Sequence, residues 1–267
     1  MHSYRKTHPW LTVLTVAALV LCGPLSVAAQ PTVHDLPTRP GVKVRVLYAP
    51  SPTPALASVV LLTGGYGKVG IYPNGSMDDT NFLTNSLARL NALQVNALVM
   101  DSPTDKRTLD NFRHTTEHAQ DLAAVVSYLK EQSNAPVWLA GISNGALSAA
   151  HGAATAGTLG PDGVVLLSAL TKEGVSARAG SPVYRTAVDK IRVPVVLIHH
   201  KQDGCYVTPF EGIAALKDAL TAVPRVTVLP FEGGSNSGNP CHAGHHLFQG
   251  LETQVIESMV QAIQTKP

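Results

Sequence analysis

The chain has 267 residues, 45% of them hydrophobic, with 20 Lys and Arg against 18 Asp and Glu. That is enough apolar material for one large core, and nothing in its distribution marks a second. Arg5 and Lys6 fall in residues 1–29, which hold no acid, so the remainder is balanced and offers no basic patch for nucleic acid or an anionic membrane surface.

The basic start, the apolar run Leu11 to Leu21 and the small residues Ser26-Val27-Ala28-Ala29 read as an export signal cut before Gln30, leaving one domain over residues 30–267. The run is too short for a comfortable membrane span. Cys22 raises lipidation, but Leu21 is larger than the residue a lipid-attachment motif wants before its cysteine. After cleavage Cys205 and Cys241 remain, and an even pair in a periplasmic or secreted protein is most simply a disulfide.

In chain order, a Pro-rich leader (Pro31, Pro37, Pro40) precedes Val42 to Tyr48, which alternates as a half-exposed edge strand should. Ala57 to Thr63 is a continuous apolar run of buried-strand type, ending in Gly64-Gly65-Tyr66-Gly67, where glycines let backbone amides approach a ligand. Thr80 to Leu93 has helical spacing, Val95 to Asp101 is a buried strand, and Phe112 to Leu129 repeats apolar residues at three and four. Strands then follow at Val137–Ala140, Gly163–Ser168, Val193–His199 and Val226–Phe231. Helices are expected after Gly145, over about Pro209–Leu220 and over Gln249–Ile263. This alternation predicts a mostly parallel sheet covered by helices on both faces. Between Leu170 and Val193 there is room for a crossover and no cap domain, so the site is expected to be open to solvent.

The stretch Val137 to Ala150 is a strand, a sharp turn with Ser143 at its apex, and a helix. So tight a turn excludes bulk two residues to either side, which accounts for Gly141 and Gly145. It also lifts the hydroxyl clear of the sheet and leaves the Asn144 amide free for an oxyanion. A second amide is expected from Gly65, with Tyr66 next. A serine nucleophile needs a base, and the base an orienting acid. Asp203 directly follows a buried strand and is preferred as the acid over Glu173 and Asp189. Among His242, His245 and His246, the last is preferred as the base because a helix begins just beyond it and Phe248 can anchor the loop. His245 competes, and spacing does not exclude it.

A Cys205–Cys241 bridge would tie the loop of the acid to that of the base and add roughly 3 to 4 kcal/mol by chain entropy. The same cysteines with His242, His245 and His246 form a rival zinc set. His114, His118 and Asp121 could form a metal face on one helix, but a solvated or locally hydrogen-bonded surface is the simpler expectation. Tyr66, Tyr72 and Tyr206 are expected to rim the pocket.

With the Gly141-Ile142-Ser143-Asn144-Gly145 turn, then Asp203, then His246 in that order, the chain from residue 30 resembles the α/β-hydrolase superfamily. More narrowly, the LLTGGYG segment, the His199-x-x-x-Asp203 strand end and the His246-x-Phe248-x-Gly250-x-Glu252 tail resemble small, lidless, exported bacterial esterases related to the dienelactone hydrolase group. Two residues depart from that group: a serine stands where its members use a cysteine, and His200 replaces the usual glycine after His199. The resemblance implies a Ser143-His246-Asp203 serine hydrolase and leaves the substrate open; the expectation is a hydrolase of carboxylic esters, small or polymeric, that needs no cofactor. A peptidase or amidase using the same triad, and a non-catalytic binding protein of the same fold, are the alternatives.

Overall fold

The computed structural model describes residues 1–3, 30–155, 157–172 and 182–265. The export-signal residues Arg5 to Ala29, Cys22 among them, and the rival acid Glu173 lie outside these.

The frame is one eight-stranded sheet: β1 (Thr32–Arg39), β2 (Val42–Ala49), β3 (Ala57–Leu62), β4 (Val95–Pro103), β5 (Val137–Ile142), β6 (Gly163–Leu167), β7 (Val195–His200) and β8 (Val226–Phe231). Its spatial order is β1-β2-β4-β3-β5-β6-β7-β8. The first two strands pair antiparallel with each other, β2 runs antiparallel to β4, and every later pairing is parallel. The helices are α1 (Leu87–Ala92), α2 (Thr116–Gln132), α3 (Asn144–Thr155), α4 (Ile213–Ala219) and α5 (Glu252–Gln264).

Every residue of β3, β5, β6 and β7 is buried, as a sheet covered on both faces requires. The two-residue period of each strand divides the core in two. Val60, Leu62, Leu139, Leu166 and Leu197 pack with Leu122 and Val125 of α2, Ala146 and Ala150 of α3, and Leu216 of α4. Val59, Leu61, Trp138, Val165 and Ile198 face Leu90 of α1 and Ile256 and Met259 of α5.

The structure departs from the sequence reading at the N-terminal edge. Residues 32–39 form a strand, and β2 lies inside the sheet between β1 and β4. Pro37 is tolerated because β1 is an edge strand, and Pro230 stands on the opposite edge, β8; an edge has no neighbour to miss the absent N–H. The helix expected over Thr80–Leu93 contracts to α1, since the Asn81 Oδ1 accepts the amides of Leu83 and Thr84 and winds the preceding residues into a tight turn. The helix α2 starts at Thr116, where the Thr115 hydroxyl caps it by accepting from the His118 amide.

From β3 the chain goes outward to β4, then crosses back to β5 on the other side of β3. That reversal leaves the carboxyl ends of β3 and β5 side by side, the position where open parallel sheets present their ligand crevice. Between β6 and β7 the described residues form two single 3-10 turns, Val183–Arg185 and Val188–Lys190.

Candidate active site

Ser143 joins β5 to α3 with φ of 54°, a left-handed backbone that serine adopts only at a cost. Two glycines make this turn possible. A Cβ on Gly141 would lie 2.1 Å from the Gly145 carbonyl oxygen, and one on Gly145 would lie 2.2 Å from the carbonyl oxygen of Leu62 in β3. The Ser143 amide donates to Leu167 O at 2.9 Å, tying the apex to β6. Asn144 opens α3, so its amide has no intrahelical acceptor, and its side chain donates to Gly65 O at 3.0 Å. The loop after β3 passes directly under the serine: a Cβ on Gly64 would come within 3.0 Å of Ser143 Cβ.

Asp203 follows β7 in a turn closed by its amide on His200 O. Its side chain is fully buried. Oδ1 accepts from the Cys205 amide at 2.9 Å, and Oδ2 accepts from the Thr208 hydroxyl at 2.9 Å and lies 2.9 Å from His246 Nδ1. His199 Nε2 is a further 3.4 Å contact. Burial alone would raise this carboxyl's pKa, but the donors from His199, His246 and the Cys205 amide outweigh it and hold the pKa far below the ordinary carboxylate range.

His246 sits in the 3-10 turn Gly244–Leu247 and is 1% exposed. The Ser168 hydroxyl donates to its carbonyl at 2.8 Å, and the left-handed Phe248 that ends the turn is buried against Phe82 and Phe231. With Nδ1 facing a carboxylate, the ring carries its proton there and presents Nε2 as the acceptor. Nε2 has no hydrogen-bond partner among the described residues. Ser143, Asn144, Gly64, Gly65 and His246 all line one cleft of about 620 Å³.

His245 faces away from this arrangement. It stacks on His200 with ring centroids 4.0 Å apart, and its Nδ1 lies 3.1 Å from Gln202 O. Cys205 and Cys241 form a disulfide that spans 36 residues and borders the cleft, so the thiolates of the rival zinc set do not exist here. No group of three or more metal-ligating side chains occurs among the described residues. Tyr66 and Tyr206 border the cleft, whereas Tyr72 stands outside it, exposed and donating to Asp78. Asp189 lies in an exposed turn, its carbonyl taken by Arg192.

The expected solvated face of α2 is corrected. His114 is exposed but precedes the helix, which starts at Thr116, so the three do not share one helix; His118 and Asp121 are wholly buried, and they serve different partners. Asp121 accepts from Arg39 and the Thr38 hydroxyl of β1, while His118 Nε2 lies 2.9 Å from the Ser148 hydroxyl of α3. Burial, with Arg113 nearby, lowers the His118 pKa to about 3, so the ring is neutral. Sequence reasoning passed over Thr208, which braces the Asp203–His246 pair, and Arg113; neither sits in a motif.

No family model matches this chain, and no curated protein sequence does. Solved structures do. An α/β serine hydrolase homologue from Coxiella burnetii superposes with a TM-score of 0.56 at 16% identity, over 89% of this chain and 98% of the other. An esterase from Pyrococcus furiosus gives 0.61 at 15% identity, over 88% and 89%. A serine hydrolase from Xanthomonas campestris described as having no lid gives 0.56 at 15% identity, over 92% and 100%. The likeness is one of fold: the chain adopts the α/β-hydrolase fold, and between β6 and β7 the described residues form no cap domain.

Proposed function

We propose that this protein is a serine hydrolase of carboxylic esters. One observation carries the reading: His246 is held by Asp203 through Nδ1 with its Nε2 unpartnered among the described residues, in the cleft that also holds Ser143 at the apex of a left-handed turn. In the proposed reaction Ser143 Oγ bonds to the acyl carbon as its proton passes to His246 Nε2. The carbonyl π pair moves to oxygen, where the Gly65 and Asn144 amides receive it. Collapse expels the alcohol, which takes the proton from His246, and water repeats both steps to release the acid. Asp203 stays ionised throughout and stabilises the imidazolium. Structural neighbours described as esterases support the ester class, and the export signal read in residues 1–29, with the disulfide, supports work in the periplasm or outside the cell.

The test is hydrolysis of p-nitrophenyl esters from acetate to long acyl chains by the disulfide-intact protein beside Ser143→Ala. Turnover by the wild type with loss to background in the variant is expected. Turnover that survives the substitution, or its absence with every ester, overturns the reading. Cleavage of p-nitroanilides alone moves it to an amidase.

A further inference from the structure

Arg113 is a buried cation that the proposed chemistry leaves unused. It is 5% exposed, and no carboxylate pairs with it among the described residues; Asp110 acts on it only through space. Burial lowers its pKa to about 10, which leaves it charged at neutral pH. An uncompensated buried charge is costly, so what it touches matters. Nη1 donates to the Ser148 hydroxyl of α3 at 2.8 Å. Nη2 faces three consecutive carbonyls of the loop after β3: Thr63 at 3.5 Å, Gly64 at 3.3 Å and Gly65 at 3.1 Å. Ser148, accepting from Arg113, sends its own proton to His118 Nε2, which the neutral ring can receive.

In a planar trans peptide, the C=O of one residue and the N–H of the next point in opposite directions. Holding Gly64 O on the Arg113 side turns the Gly65 N–H the other way, and Gly64, Gly65 and Ser143 share the cleft. The loop would not keep this orientation unaided, since it holds three glycines, two of them, Gly65 and Gly67, at positive φ. Its other anchors are the Gly67 amide on Gly64 O, the Asn144 side chain on Gly65 O and the Leu109 amide on Tyr66 O.

We infer that Arg113 is a positioning residue of the oxyanion hole: fixed by Ser148, its guanidinium grips the carbonyls of Thr63 to Gly65 and so aims the Gly65 amide at the oxygen where negative charge develops. This rests on the reading of Ser143 as the nucleophile. A guanidinium is suited to the task because its planar fork reaches several carbonyls at once, which a lysine ammonium does not.

The test compares wild type, Arg113→Gln and Arg113→Lys for kcat and KM on a p-nitrophenyl ester, for inhibition by a trifluoromethyl ketone, and for far-UV circular dichroism. Misaiming one oxyanion donor is expected to lower kcat about 100-fold in Arg113→Gln. KM should stay within about 3-fold, and the ketone, bound as a tetrahedral oxyanion, should weaken in parallel. Arg113→Lys should recover part of the loss. A folded variant with wild-type kcat and ketone affinity overturns the inference, as does a loss confined to KM. If Arg113→Gln does not fold, Arg113→Lys decides by the same criteria. If the wild type turns over no ester, the ester reading fails by itself, and the rate at which a fluorophosphonate labels Ser143 takes over. Slower labelling of Arg113→Lys then supports the inference; equal rates, or no labelling of the wild type, overturn it.

Discussion

Replacing both cysteines with alanine isolates what the Cys205–Cys241 bridge contributes. The bridge spans 36 residues. A crosslink of that length removes chain entropy from the unfolded state equivalent to about 4 kcal/mol at 25 °C, from the logarithmic loop-length relation. Alanine avoids stranding a hydroxyl at Cys205, which is 2% exposed. Asp203 and His246 keep their other restraints, namely Thr208 on Asp203 and Ser168 on the His246 carbonyl. The double variant should therefore lose stability far more than it loses kcat. Urea unfolding followed by far-UV circular dichroism should show the free energy falling by about 3 to 4 kcal/mol. At 25 °C its ester turnover should stay within about tenfold of wild type, about 1.4 kcal/mol in the barrier. A variant within about 1 kcal/mol of wild type would refute the view that this bridge chiefly restrains the unfolded chain. Undiminished stability with abolished turnover would instead make it part of the catalytic geometry.

Further expectations follow from the same contacts. Asp203→Asn should lower kcat about 10⁴-fold at neutral pH, because an amide no longer fixes the His246 tautomer or stabilises its cation; steady-state kinetics checks this. His246→Ala should abolish turnover, while His245→Ala, which removes a ring stacked on His200 outside the cleft, should leave kcat within about threefold, well under 1 kcal/mol in the barrier. Gly145→Ala sets a methyl 2.2 Å from Leu62 O, so it should yield little folded protein, read as soluble yield and circular dichroism. Stability should fall in mild acid. The folded pKa of His118 is about 3 against 6.5 for the free side chain, so its contribution is complete above 6.5 and is lost as pH falls toward 3. Its slope approaches about 1.4 kcal/mol per pH unit, and urea titrations between pH 4 and 6 should be flatter by that amount in His118→Gln.

Much of this was legible in the residues. The central strands read as unbroken apolar runs because both sheet faces are covered, and Gly141 and Gly145 stand where any side chain would strike backbone. The first strand was hidden by Pro31, Pro37 and Pro40, which argue against a strand until its edge position is known. Adjacent histidines cannot be ranked by spacing; the turn locked by Phe248 and Ser168 puts His246 on Asp203 and His245 on His200. His118 and Asp121 gave a polar pattern on α2 that suggests a wet surface, yet each is buried against a partner distant in sequence: Ser148, and Arg39 with Thr38. Arg113 has no local signature, since its importance comes from three carbonyls about 50 residues upstream and a serine 35 downstream.

Activation of Ser143 by Asp203 and His246 is read most directly by intact-mass analysis after timed exposure to a fluorophosphonate. Wild type, Ser143→Ala and His246→Ala are compared at neutral pH. A single adduct on wild type that maps to Ser143 is expected, and none on Ser143→Ala. Labelling of His246→Ala should be slower by about 10³-fold or more. An unlabelled wild type, or His246→Ala labelled at the wild-type rate, would contradict that activation.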